Sequence, residues 1–444
     1  MKRIYDAFAY GDGPVAGCYW DTTIARPAAE PAPAGETRVE VAIIGAGFTG
    51  LSAALHLARD AGAEVAVLDA RRIGWGASGR NGGFASLGGA KASDAQLLRR
   101  YGAAALADWH RAQMASADCV AGLVDRYGLE VDAHSHEGET CVAHRPAELA
   151  AFRAEAPDLD RFYGVKTRVL TGAEMAAEGM AGPEVHGGLK LPVGFALNPL
   201  KYVLGLAAAA RAAGARIWEQ APVTAIAQAD GAHVLTHPGG RIVARKLILA
   251  TNGYSSDDLP PWMAGRYLPA LSAILVTRPL TAEEIAAQGW SSTGMAYDSR
   301  KLLHYFRLMP NGRFLFGGRG GTRADAGALA ERQRILRADF ERMFPAWAGV
   351  ETPHFWSGFV CLTRDLVPYV GPLGDLGNAW AGFAWHGNGV LMGSYAGALL
   401  AGLATGRGGV PRIMAGPARG FPLAPARRLV LPAAYAWYHW RDRG

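Results

Sequence analysis

The residues of this chain best suited to chemistry are glycines rather than acids, bases or thiols. Gly45, Ala46, Gly47, Phe48, Thr49 and Gly50 spell G-x-G-x-x-G between a strand-like run, VEVAIIGAG, and a helix-like run, FTGLSAALHLARDAG. In such a turn the first glycine permits the tight bend. The second lets a pyrophosphate reach the backbone, and the third lets the helix pack on its strand. The helix N-terminus adds amide donors and partial positive charge for a phosphate. Asp69 ends the next strand, AEVAVLDA, where an acid accepts ribose hydroxyls. The motif alone is weak; the flanking strand, helix and acid make it a dinucleotide site.

Three further segments share this character. Ala70 and Arg71 lead into a loop of small side chains, with Gly76, Ala77, Ser78, Gly79, Arg80, Asn81, Gly82 and Gly83, which suits a backbone pressed against a large flat cofactor. The buried strand LILA ends in Thr251, Asn252 and Gly253. Near the end, His386, Gly387, Asn388, Gly389 and Val390 open the helix-like run LMGSYAGALLAGLATG. That helix start offers a second cluster of amides, able to face an anionic ring carbonyl.

The elements that position these loops alternate between strand and helix. Residues 92–127 read as helical, with Ser93 and Gln96 spaced as a capping box. Residues 140–200 read as short strands around one helix, and Pro199 opens another that ends before Gly214. Strand-like runs follow to about residue 320, including a turn at Asn311 and Gly312. A charged amphipathic helix covers 327–345. Before the first strand, RPAAEPAPAGETR reads as a linker. It follows an arm whose Tyr5, Phe8, Tyr10, Tyr19 and Trp20 are too aromatic for a disordered tail.

Composition sets outer bounds. The 444 residues are half apolar, 19% charged and contain 58 Gly, which excludes a disordered chain. At roughly 100–200 residues per domain, two or three domains are expected. The net charge of +6 is scattered and carries no recognition motif, so nucleic acid is not expected as a partner. Cys18, Cys119, Cys141 and Cys361 form no C-x-x-C pair, so no metal is expected. The N-terminus lacks the apolar core of a signal peptide, and no apolar run reaches ~20 residues. A cytoplasmic protein without membrane attachment is the expectation. The aromatic tail (Tyr435, Trp437, Tyr438 and Trp440, with Arg441 and Arg443) reads as a docking segment rather than a membrane anchor. Oligomeric state is left open.

Together the four glycine-rich segments resemble the D-amino-acid-oxidase/sarcosine-oxidase family of FAD enzymes over about residues 38–408. Within it they are similar to bacterial amine oxidoreductases of the gamma-glutamylputrescine oxidase type. G-W-G-A-S-G-R-N-G-G and H-G-N-G-V are the specific stretches. The resemblance implies an α/β protein: a Rossmann-like FAD-binding domain, discontinuous in sequence, with an antiparallel-sheet substrate domain covering the flavin. The implied division is an arm and linker at 1–37, and an FAD domain from 38–90, part of 140–260 and 355–410. A helical segment spans 91–139. The substrate domain takes part of 140–200 and 261–354, and a docking tail takes 411–444. Val223 would lie near the adenine, Thr251 to Gly253 near the phosphates, and His386 to Val390 along the isoalloxazine.

The implied activity is oxidation of a small-molecule primary or secondary amine to an imine by hydride transfer to flavin N5. Hydrolysis then gives an aldehyde or keto acid, and O₂ or another acceptor reoxidises the flavin. Alternatives are an amino-acid dehydrogenase with a quinone or carrier acceptor, a flavin-binding protein without turnover, and an NAD-linked dehydrogenase. His386, Tyr305 and Trp356 are the candidates to face flavin or substrate; His304 reads as structural. Relatives that tether the flavin use a Cys at a position matching Gly358, or a His in the first loop, which has none; non-covalent FAD is therefore expected, with Cys361 nearby. Sarcosine-type relatives clamp a substrate carboxylate from positions that fall here on Gly83 or Phe84, and on Leu391. Both places are uncharged, which favours an amine over a small N-methyl amino acid, although Arg80, Arg307 or Arg319 could restore a clamp. No Lys is placed over the flavin, and Lys301 is out of register.

Overall fold

The strand Gly35–Ile44 ends in four buried apolar residues, Val41 to Ile44, because both of its faces are covered. A computed structural model describes residues 1–443 of the protein, without the side chains of His439, Arg441 and Arg443. In it, Gly35–Ile44 pairs in parallel with Val65–Leu68 on one side and Gly240–Leu249 on the other. Arg216–Trp218 and Ala379–Phe383 extend this parallel array, and Tyr369–Pro372 adds an antiparallel edge. Ala225–Ala229 and Ala232–His237 fold back as an antiparallel flap on Gly240–Leu249.

The two-residue alternation of a strand divides this sheet into two cores. Val41, Ile43, Val65 and Val67 point toward the helices Phe48–Ala61, Pro199–Ala212 and Leu391–Thr405. Ala42, Ile44, Ala66, Leu68, Leu247 and Leu249 point the other way, onto Met263, Tyr267 and Tyr369. Gly62 closes the first helix in the left-handed conformation.

The second sheet has eight strands: His354–Leu362, Leu268–Pro279, Arg313–Arg319, His304–Leu308, Met295–Asp298, Glu139–Val142, Gly187–Leu191 and Arg168–Thr171, in that spatial order. All neighbours are antiparallel except Met295–Asp298 with Glu139–Val142. One face is closed by the helix Ala326–Met343, over a core of Phe306, Phe314, Phe316, Phe340, Phe344, Trp290 and Trp347. Edge-to-face contacts such as Trp290 on Phe344, at 5.5 Å, order these rings.

Local expectations meet the structure unevenly. The capping box at Ser93 and Gln96 is present in both directions and starts Asp94–Tyr101, followed by Ala103–Tyr127. Residues 140–200 hold two helices rather than one. The second, Gly172–Ala177, is too short to show a helical period and is started by a capping box between Thr171 and Glu174. The aromatic arm packs as expected, with Tyr5, Tyr10, Tyr19 and Trp20 buried and Tyr5 stacked on Phe359. The tail docks through Leu431, buried against Leu268 and Ala270, and through Arg427, which pairs with Asp257 at 2.5 Å. Trp437 and Trp440 remain outward, 54% and 65% exposed. The side chains of Arg441 and Arg443 lie outside the described residues. Among those residues no helix is long and apolar enough to cross a membrane.

Candidate active site

A cavity of about 660 Å³ runs from the C-terminal ends of the parallel strands to the inner face of the second sheet. Its nucleotide end is made mainly of backbone. Gly47 caps the helix Phe48–Ala61 without any side chain, so the first-turn amides are open to an outside acceptor, except that of Phe48, which donates to Ser78 Oγ at 3.0 Å. Asp69 accepts from the amides of Ala46 at 2.7 Å and Arg71 at 2.8 Å. Those bonds fix its carboxylate at the cavity floor and leave lone pairs for a hydroxyl. Burial raises its pKa against the pull of these two amides.

Most of the residues singled out from the sequence converge on this one space. Gly45, Ala46, Gly47, Phe48, Thr49, Asp69, Ala70, Arg71, Gly76, Ala77, Ser78, Arg80, Asn81 and Gly82 line it from the first two loops. Val223, Thr251 and Asn252 line it from the strand ends, and His386, Gly387, Asn388, Gly389 and Val390 from the last loop. Gly50, Gly79, Gly83 and Gly253 do not line it. A Cβ on Gly50, Gly79 or Gly83 would lie 1.9, 2.1 or 1.9 Å from a carbonyl oxygen. These glycines let loop and helix backbones touch, which shapes the cradle from behind.

The loops also brace one another. Asn252 Oδ1 accepts the Ala384 amide at 2.9 Å, joining the Thr251 segment to the last loop. Asn388 Nδ2 donates to Leu87 O at 2.8 Å and Ser86 Oγ at 3.3 Å, joining that loop to the chain beyond Gly83. His386 is fully buried, with Nδ1 against Gly89 O at 2.8 Å and Nε2 facing the Thr363 amide at 3.3 Å. Burial pushes its pKa down to about 3, so the ring is neutral, donating at Nδ1 and accepting at Nε2. Both nitrogens are thus committed to backbone.

The opposite end is built from side chains. Tyr305, Trp356, Tyr297, Ile274 and Leu303 line it. Tyr305 shares a hydrogen bond with Ser272 Oγ at 3.0 Å, and Trp356 Nε1 donates to Arg80 O at 2.7 Å. Arg80 is spent internally, on Ser357 O and Tyr254 Oη, and stacks on Trp75. Arg307 points away, toward Leu197 O and His134. Arg319 alone of the three arginines named from sequence both lines the cavity and reaches the last loop, donating to His386 O at 3.3 Å. Cys361 borders the cavity, but burial pushes its thiol up to about 12, so it stays protonated.

Lys91 and Glu139 line the same space, and sequence reading missed both. They are the two ends of the segment read as helical, where a charged residue looks like a cap or a solvated terminus. The available signal was scarcity: only seven of the 45 basic residues are Lys.

A parallel sheet feeding a glycine turn, a helix without a side-chain cap and a glycine-backed cradle define a dinucleotide-dependent redox enzyme. The family model for FAD dependent oxidoreductases, DAO, matches residues 40–403, and the chain belongs to that family. FAD is its cofactor, and the cradle fits it: the cavity is large enough, the start of Phe48–Ala61 offers uncapped amides, and Asp69 lines the same space. The chain is 31% identical over 438 residues to "Probable oxidoreductase OrdL" of Rhizobium meliloti (strain 1021), covering 96% of this chain and 97% of that one. It is also 31% identical over 409 residues to the gamma-glutamylputrescine oxidoreductase of Escherichia coli (strain K12), covering 91% and 93%. The glycine oxidase of Geobacillus kaustophilus shares the fold with a TM-score of 0.68 at 21% identity, over 87% of this chain and 97% of that one.

Proposed function

We propose that this enzyme oxidises the C–N bond of a primary or secondary amine to an imine, which hydrolyses to an aldehyde or keto acid, and that O₂ is reduced to H₂O₂. One observation carries the reading: the cofactor loops open directly onto an aromatic wall, Tyr305, Tyr297 and Trp356, inside one cavity. The relative named for gamma-glutamylputrescine supports an amine substrate. Bound FAD supplies the electron acceptor for a hydride from the carbon next to nitrogen.

The protein's own part is positioning. The open amides at Gly47 and Thr49 would hold the pyrophosphate, Asp69 the ribose, and Val223 the adenine side. The loop His386 to Val390 would support the ring, held in place by the two backbone bonds of His386 and the bonds of Asn388. Tyr305 and Trp356 would exclude water and orient the amine. With the thiol of Cys361 protonated, FAD would be held without a covalent bond. The reading predicts equal amounts of aldehyde and H₂O₂ for each O₂ consumed with an amine substrate. Turnover that runs only with a quinone dye would move the assignment to a dehydrogenase.

A further inference from the structure

The tail that docks on the body does so with one face only. In the helix Val430–Arg443, Leu431 is buried and Ala434, Tyr435, Tyr438 and Asp442 are partly covered. Val430, Pro432, Ala433, Ala436, Trp437 and Trp440 are exposed. At 3.6 residues per turn the two sets fall on opposite sides of the helix, and the described side chains of the outer side are all apolar. The inner side is held firmly. Leu431 packs on Leu268 and Ala270, and the Asp442 carboxylate accepts from the amides of Lys301 at 3.0 Å and Leu302 at 3.3 Å. On the outer side Trp437 and Trp440 lie ring against ring, with centroids 5.1 Å apart. Leu423 and Leu429, in the turn before the helix, are 82% and 70% exposed.

Of the eight large apolar side chains exposed among the described residues, five fall between Leu423 and Trp440. Exposed apolar residues scattered singly need no explanation, whereas a contiguous set marks a surface that meets something. Charge is as unevenly placed. The basic residues are spread along the chain, but the acids are not: residues 407–444 contain seven Arg and a single acid, Asp442, which accounts for the whole net charge of +6. Arg427 is taken by Asp257, and Arg419 lies 3.8 Å from Asp365. Arg407, Arg412 and Arg428 take no carboxylate partner among the described residues. Arg428, beside Leu429 and Val430, lies over the Tyr5 ring at 5.4 Å. An apolar stripe with two Trp, next to uncompensated positive charge, complements a surface that is anionic outside and apolar beneath. A second copy of the same tail would instead bring like charges together.

We propose that the outer face of this helix, with the turn before it, seats the enzyme on an anionic phospholipid membrane surface. Val430, Trp437 and Trp440 enter the interfacial layer, where Trp rings are favoured, and the basic segment meets the headgroups. The helix lies along the surface and spans nothing, in keeping with the described helices, none of which is long and apolar enough to cross a membrane. The docking role expected from the sequence is thus half of what the tail does: one face binds the protein and the other binds lipid. Attachment through one short helix and its charge is reversible and weakened by salt. None of the exposed residues of the stripe lines the catalytic cavity, so attachment leaves the site's own side chains untouched.

The test is cosedimentation of the holoenzyme with vesicles of phosphatidylcholine alone, and with vesicles of equal parts phosphatidylcholine and phosphatidylglycerol. At low salt the partition coefficient should be about tenfold higher on the anionic vesicles, and high salt should release most of the bound protein. The double variant Trp437→Ser, Trp440→Ser should bind the anionic vesicles about tenfold more weakly, with its FAD content and turnover unchanged. Arg428→Gln should bind them about fivefold more weakly. Brominated phospholipid in the anionic vesicles should quench part of the native tryptophan emission, and that part should be missing from the double variant. Equal binding to both kinds of vesicle, binding to neither, or native binding by the double variant would overturn the proposal. So would a concentration-dependent dimer that the double variant abolishes, because the stripe would then belong to a second copy of the chain.

Discussion

The two ends of the cavity are built by opposite means. The nucleotide end is mostly backbone: uncapped helix amides, glycines packed against carbonyls, and one acid fixed by two amides. The other end is mostly side chain, with aromatic walls and the charges of Lys91, Arg319 and Glu139. Backbone recognition serves a cofactor that stays the same, whereas side chains can change with the substrate without disturbing the fold. The difference teaches that the constant half of the chemistry is written in local spacing, and the variable half in tertiary placement.

The harshest way to break this contrast is a change at the backbone end. Gly50→Val would put a side chain where a Cβ already lies 1.9 Å from the carbonyl oxygen of Gly45. It should lower bound FAD more than tenfold, or abolish folding, as read by flavin content and yield. At the other end, Tyr305→Phe keeps the ring and removes the bond to Ser272. Its FAD content should be normal, with kcat/KM reduced by no more than about tenfold.

His386 lies between the two ends and tests whether the last loop is braced by it. His386→Ala would leave Gly89 O and the Thr363 amide without partners in a buried site, a cost of about 2–4 kcal/mol. Thermal unfolding and FAD dissociation should both shift accordingly. With its pKa at about 3, His386 should add no ionisation to the rate profile between neutral and alkaline pH.

Stability against pH sharpens the comparison further, because the buried histidines at the two regions have opposite linkage. His386 is held neutral by burial, so its contribution falls as pH drops below its ordinary 6.5 toward 3. In the second sheet, burial opposes charge on His304, but Asp298 at 2.8 Å and Asp339 at 3.3 Å overcome it and raise its pKa to about 9. Its stabilisation is complete below 6.5 and is lost as pH rises through about 9. His304→Gln should flatten the alkaline limb of the unfolding midpoint by about a few degrees. The smallest effect belongs to Cys361→Ala: the absorption spectrum and the amount of flavin released by acid precipitation should match the native protein.

Much of the nucleotide end was legible in sequence because its signals are local. Glycine spacing, the strand before Gly45 and the helix after it fall within one short stretch, as do the residues of the last loop. The role of His386 was less legible. Proximity to glycines suggested a flavin-facing ring; the residue lines the cavity, and the backbone partners of its two nitrogens, Gly89 and Thr363, are far from it in sequence and could not be read there. Lys91 and Glu139 could not be paired from sequence, since 47 residues of helix and loop separate them and only the sheet brings them to one space. The substrate-end arginines show the same limit. Arg80, Arg307 and Arg319 are alike as letters, and only the fold shows that Arg80 lines the cavity but is spent on Ser357 and Tyr254, that Arg307 points away, and that Arg319 reaches the last loop.

The most direct test of the account is to mix the purified holoenzyme with an amine in the absence of oxygen and follow the visible flavin band. The account predicts a yellow protein whose band bleaches with the amine and returns when air is admitted, with H₂O₂ formed in the same amount as the amine consumed. A protein that takes up FAD yet keeps its band with amines of every class, or one that cannot be reconstituted with FAD, would contradict it.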